Sequence, residues 1–92
     1  MRFQANVVVR LKDGVLDPQG QTIREAARSL GFSSIGDVRV GKQFALELEA
    51  RDAKAAKAQL DQLCHKLLAN PVIETFAFEI INSKPSSKKG KR

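Results

Sequence analysis

The sequence predicts an α+β fold with the element order βαββαβ, and three observations carry that prediction. Apolar residues alternate with period two in four short stretches, the pattern of strands with one buried face. Two intervening stretches place apolar residues at helical spacing, so each makes one apolar stripe. Each helical stretch begins at an aspartate able to cap it and stops at a Gly or an Asn-Pro pair.

In the first strand Phe3, Ala5, Val7, Val9 and Leu11 alternate with Gln4, Asn6, Val8 and Arg10. Asp17 then supplies a cap carboxylate and Pro18 the first helical position, where a missing N–H costs nothing. Ile23, Ala26, Ala27 and Leu30 form the stripe of the first helix, and Gly31 ends it. The segment Gly36 to Glu49 reads as a hairpin, with Val38 and Val40 on one arm and Phe44, Leu46 and Leu48 on the other. A two-residue Gly41-Lys42 loop would put those apolar residues on opposite faces. The turn is therefore expected to hold three residues or a bulge, with Val40 opposite Phe44.

Asp52 caps a second helix with Ala53, Ala56, Leu60, Leu63, Cys64, Leu67 and Leu68 on its stripe, ended by Asn70-Pro71. Phe76, Phe78 and Ile80 mark the last strand. The order suggests a ferredoxin-like two-layer sandwich, a four-stranded antiparallel sheet with both helices on one face. Its core is modest, because so small a domain buries only about 60% of its unfolded surface, and self-association would supplement it. The hairpin's first arm, at a sheet edge, and the small outward residues Val8, Ala45 and Ala77 each offer a surface for it.

The 92 residues include 16 Lys and Arg against 10 Asp and Glu, a net charge of +6. Five of those basic groups lie in residues 84–92, so residues 1–83, the α+β domain, carry 11 basic and 10 acidic groups. The positive charge thus belongs to a basic tail, 84–92, with the composition of a disordered, solubilising extension. Outward positions of the sheet, among them Gln4, Asn6, Arg39, Glu47 and Glu79, include no aromatic residue, so no base-stacking platform for RNA is expected. A tail-driven RNA binder remains as a minor alternative, with strongly salt-dependent affinity.

One cysteine excludes an intrachain disulfide framework and suits a reducing cytoplasm. No apolar run reaches membrane-span length, and the N-terminus lacks a signal-peptide pattern. Cys64 and His65 are adjacent, but neighbours on a helix point about 100° apart and do not make a facing nucleophile and base. Cys64 is expected in the core and His65 at the surface. Metal-ligand spacing and a phosphate-binding Gly loop are both absent, so no catalytic or metal residue is assigned.

Three polar or Gly- and Pro-containing segments join these elements: Leu11-Lys12 through Gly14-Val15-Leu16-Asp17-Pro18-Gln19-Gly20, Asp37-Val38-Arg39-Val40-Gly41-Lys42, and Asn70-Pro71-Val72-Ile73-Glu74. Singly, each reads as a cap or a turn. Together, and with Leu30-Gly31-Phe32 at the same spacing, they resemble the PurS family, the small subunit of the multi-subunit phosphoribosylformylglycinamidine (FGAM) synthase of purine biosynthesis. The tail departs from the family pattern.

The resemblance implies a non-catalytic accessory subunit of an ATP-dependent, glutamine-using carbon–nitrogen ligase. In such an enzyme a glutaminase subunit releases ammonia, and a large synthetase subunit installs it on formylglycinamide ribonucleotide. The small subunit is expected to bridge the two, assist ammonia transfer, and form a dimer or tetramer. It is expected to bind no cofactor, with ATP and Mg held by the synthetase. The implied partner contacts are Asp17, Gln19, Arg39, Lys42, Asn70 and Glu74, with Gly14, Pro18, Gly20, Gly41 and Pro71 shaping the backbone. The alternative is a small-molecule-sensing regulatory module, since paired βαββαβ units can hold an effector between copies.

Overall fold

A computed structural model describes residues 1–84. The expectations for the basic tail concern residues outside the described ones, apart from Lys84. The chain forms β1 (Arg2–Leu11), α1 (Pro18–Ser29), β2 (Gly41–Glu49), α2 (Ala53–Leu63) and β3 (Glu74–Lys84), with a π-helical turn, Cys64–Leu68, continuing α2.

The sheet has three strands, not the expected four, in the order β2-β1-β3, with both pairings antiparallel. The missing strand is the first arm of the expected hairpin. Val38 and Val40 alternate as a strand would, but residues 36–40 form none. The Val40 N–H donates to Asp17 Oδ2 at 2.7 Å, and Arg39 Nη2 donates to the Lys12 carbonyl at 3.1 Å. The segment is thus bonded to the β1–α1 connection and the start of α1. Phe44 consequently faces Val7 on β1 rather than Val40, and β2 itself is a sheet edge.

The period-two reading of the three remaining strands holds. Phe3, Ala5, Val7 and Val9 of β1 are buried on one face, and Phe44, Leu46, Leu48, Phe76, Phe78 and Ile80 flank them half-buried. Between Gln4 and Ala5 the pairing with β3 shifts by one residue, so Ile81 becomes the extra residue of a bulge and stands exposed. On the helical side Leu60, Cys64 and Ala69 complete the core cluster. The Ala69 N–H reaches the Cys64 carbonyl at 3.0 Å, an i→i+5 bond. This wider turn moves Leu67, placed on the stripe by simple helical spacing, out to solvent, and leaves Cys64 fully buried.

The expectation of two helices covering one face needs a second correction. α1 contributes nothing to the core cluster; Ile23 and Leu30, on its apolar stripe, are 45% and 76% exposed. Asp52 caps α2 as expected, accepting the Ala55 N–H at 2.8 Å, and α2 with the π-helical turn that continues it supplies the helical side of the core cluster.

Leu60 has no exposed surface and lies among β1 side chains and Cys64. Leu60→Ala should cost about 2–5 kcal/mol, read from the urea midpoint. A loss below 1 kcal/mol, on the order of a surface change, would place the core elsewhere.

Candidate functional site

The three segments singled out in the sequence meet at one end of the sheet. Where β1 ends, the Lys12 N–H donates to the Ile73 carbonyl at 2.8 Å, which ties the first segment to the third. The Lys12 carbonyl accepts both the Val15 N–H, at 3.1 Å, and Arg39 Nη2, which ties the first to the second. The turn between them passes through Gly14 at φ +88°, a left-handed conformation that other residues adopt only with strain.

Asp17 is the centre of this arrangement. Its Oδ1 accepts the Gly20 N–H at 2.8 Å and caps α1, while its Oδ2 accepts the Val40 N–H. The side chain is buried, and the backbone N–H groups of Val40 and Gly20 hold its carboxyl below its ordinary value of 3.8; burial opposes them and the Arg39 charge adds to them. Gly20 allows the close approach. A Cβ there would lie 2.0 Å from the Val38 carbonyl oxygen, so only glycine lets residues 38–40 pack on the first turn of α1. Gly41 plays the same part against β1, where a Cβ would meet the Val9 carbonyl at 2.9 Å.

The third segment is braced by its own side chains. Asn70 Oδ1 accepts the Val72 N–H at 3.1 Å, the Asn70 N–H donates to Glu74 Oε1 at 2.6 Å, and the Glu74 N–H returns to the Asn70 carbonyl at 2.7 Å. Pro71 opens the turn that follows Asn70. The other oxygen of Glu74 lies 4.0 Å from Lys42 Nζ, a loose ion pair between an exposed lysine and a mostly shielded glutamate that links the second and third segments. Gln19 stands exposed on the first turn of α1, and its backbone N–H also favours the Asp17 charge. The candidate residues are therefore neighbours, with Gln19 at the periphery. Lys12, whose backbone joins all three segments, was missed as a site residue; the signal was its place in the Leu11-Lys12 pair of the resemblance.

Catalytic groups do not gather here. Cys64 is a core residue whose thiol burial pushes up, and His65 is exposed with its ring edge-on to Phe76 at 5.0 Å. Among the described residues no group of three or more His, Cys, Asp or Glu side chains is placed to hold a metal ion. None of the described helices is long and apolar enough to cross a membrane.

The family model for PurS, phosphoribosylformylglycinamidine (FGAM) synthase, matches residues 4–82, a span that contains all three segments. The chain belongs to the PurS family. The PurS subunit of FGAM synthase from Synechocystis is 42% identical over 78 residues, covering 85% of this chain and 78% of its own. That of Mycobacterium leprae is 45% identical over 71 residues, covering 77% and 86%. The solved Bacillus subtilis PurS superposes with a TM-score of 0.77 at 35% identity, over 87% of this chain and 99% of that one. A chain in the structure of PurLQS from Thermotoga maritima gives 0.82 at 30% identity, over 88% and 99%. The match ends at residue 82, so the basic tail of this PurS-family chain lies beyond it.

Two outcomes are predicted. The Asp17 carboxyl is lowered in the fold, so its stabilisation is complete above the unfolded value near 3.8 and is lost as pH falls through the lower, folded value. The melting temperature of wild type should exceed that of Asp17→Asn at neutral pH, with the gap closing below pH ~3.8; a gap independent of pH would contradict the bonding of the charged form. Gly20→Ala should cost about 1–3 kcal/mol by overpacking against Val38, with amide shifts concentrated at residues 38–40. A change confined to α1 would count against the contact.

Proposed function

We propose that the chain is the accessory subunit of FGAM synthase in purine biosynthesis, joining a glutaminase and a synthetase subunit and assisting the passage of ammonia between them. The observation that carries this reading is the convergence of the three matched segments. Loop residues freed from the core are held in one place by backbone hydrogen bonds, as a surface for partners requires. Relatives are subunits of FGAM synthase, and one structural neighbour is a chain of a PurLQS structure.

Ammonia released into water is protonated and lost. A water-excluding contact between two active sites keeps it neutral and close to its acceptor. The accessory subunit contributes geometry: Asp17, Arg39 and Glu74 set the backbone of the contact surface, while Gln19, Lys42 and Asn70 present polar groups from it. ATP and Mg belong to the synthetase partner. The subunit works in the cytoplasm and associates with itself as a dimer or a dimer of dimers. The sensing-module alternative gains nothing from the geometry, whereas the partner reading accounts for three loops braced at one sheet end.

Reconstitution tests this. Mixing the chain with a glutaminase and a synthetase subunit should raise glutamine-dependent product formation far more than ammonia-dependent formation. An equal effect on both, or none, would remove the assignment. Lys42→Glu, in the exposed member of the Lys42–Glu74 pair, should weaken co-assembly roughly two- to fivefold, the worth of an exposed charge pair, and leave the fold's melting temperature nearly unchanged.

A further inference from the structure

Charge is divided unevenly between the two ends of the sheet. Around the three matched segments, Arg10, Lys12, Arg39 and Lys42 are balanced by Asp13, Asp17, Asp37 and Glu74. Elsewhere Arg24, Arg28 and Lys66 are balanced by Glu25, Asp61 and Glu79. The whole formal net charge of +6 therefore belongs to the opposite end. The two ends are separated by the length of β1, 10 residues or roughly 30 Å at 3.4 Å per residue.

Three elements bring cations to that end. β1 begins there, with Arg2 opposite Glu49 of β2 on one side and Lys84 of β3 on the other, so the chain leaves the sheet at the same place. The Met1 ammonium donates to the Ala50 carbonyl at 2.9 Å, and Gln59 Nε2 donates to the Glu49 carbonyl at 3.1 Å, which sets the first turns of α2 beside the end of β2. Exposed Arg51, Lys54 and Lys57 stand on this shoulder. Lys88, Lys89, Lys91 and Arg92 follow Lys84 in the sequence.

The acids of this end are already committed. Arg2 engages Glu47 at 3.5 Å and Glu49 at 3.7 Å, and the Met1 ammonium lies 3.9 Å from Glu49. Asp52 caps α2 through one oxygen and faces Arg51 through the other, at 3.7 Å. Lys54 and Lys57 have no ion-pair partner among the described residues. Three residues apart, they are neighbours on the helix surface. Their place runs against helix stability: the first turn of α2 holds no acid, which its dipole would favour, and holds Lys54 instead. The positive end of the dipole adds to their field.

The chemistry of this end selects a polyanion. Apart from Pro85, residues 84–92 carry no apolar side chain that could anchor in a protein pocket or insert into a lipid surface. What remains is a set of point-like charges suited to successive phosphates. We propose that this end binds the phosphate backbone of a nucleic-acid strand without choice of base, Lys54 and Lys57 acting together with the cations of residues 88–92. The open sheet face offers no aromatic platform, so bases are not read. This goes beyond the accessory-subunit reading and does not depend on it, because the loop surface lies at the far end of the sheet.

Fluorescence anisotropy of a labelled oligouridine of about 20 nucleotides, longer than a single-strand site, tests the proposal with the full chain. Lys54, Lys57 and the four cations of residues 88–92 make six contacts. At about −0.7 per contact, log K should fall with log salt at a slope of about −4, a loss of about 300-fold between 50 and 200 mM. Lys54→Gln combined with Lys57→Gln should bring the slope to about −3, and removal of residues 85–92 to about −1. Oligouridine, oligoadenine and the deoxy strand should bind alike. A chain that fails to bind at 50 mM salt would overturn the proposal, as would a double lysine variant with the wild-type slope, since the tail would then act alone. A preference above about tenfold, 1.4 kcal/mol, for one base or sugar would overturn the backbone reading. Tighter binding to phosphatidylserine vesicles or to polyglutamate than to oligouridine at the same salt would also overturn it, in favour of a membrane or an acidic protein. Binding is read without the other subunits, so failure here leaves the functional reading standing, and failed reconstitution leaves this one.

Discussion

The structure depends on one carboxylate. Asp17 accepts an N–H from the helix it caps and another from Val40, 23 residues further on. A carboxylate serving only as a cap sits at the surface and shares its second oxygen with water. Here the second oxygen is spent on the backbone of a distant segment, and the pair of donors lowers the pKa of the carboxyl against the opposing effect of burial. The exchange of a possible sheet bond at Val40 for a bond to Asp17 removes one strand from the expected sheet. It also sets the second matched segment beside the first.

Several other features follow from that placement. With residues 38–40 held against α1, the approach of their backbone demands glycine at position 20. Arg39 is brought over the end of β1, where the Lys12 carbonyl takes its guanidinium while the Lys12 N–H bonds Ile73. The three loop segments become one surface without a shared apolar core. Stability of that surface is therefore polar and local, and that of the sandwich is apolar, supplied by β1, α2 and the π turn. The division lets the loop surface vary without repacking the core.

Much of this was legible in the chain. Strand alternation in β1, β2 and β3, the Asp17 and Asp52 caps, and the core place of Cys64 all rest on local pattern, and local pattern is what a sequence displays. The features that escaped it depend on a partner distant in sequence or on a shift of one residue. Val38 and Val40 alternate like any strand, and nothing near them reveals that the Val40 amide bonds to Asp17. The π turn changes the helical period after Leu63 and turns Leu67 outward, and the bulge at Ile81 does the same for β3. The matched segments were recognisable by their polar, Gly- and Pro-containing composition, but their meeting at Lys12 was not, because a backbone carbonyl carries no sequence signature.

The most direct test of this account is native-state amide hydrogen exchange at Val40, measured against Val7 in the centre of the sheet. With Asp17 intact, the Val40 amide should be strongly protected although it belongs to no strand. In Asp17→Asn that protection should fall sharply while Val7 keeps its own. A Val40 amide that exchanges at the unprotected rate in the wild-type chain, or one that stays protected without the carboxylate, would contradict it.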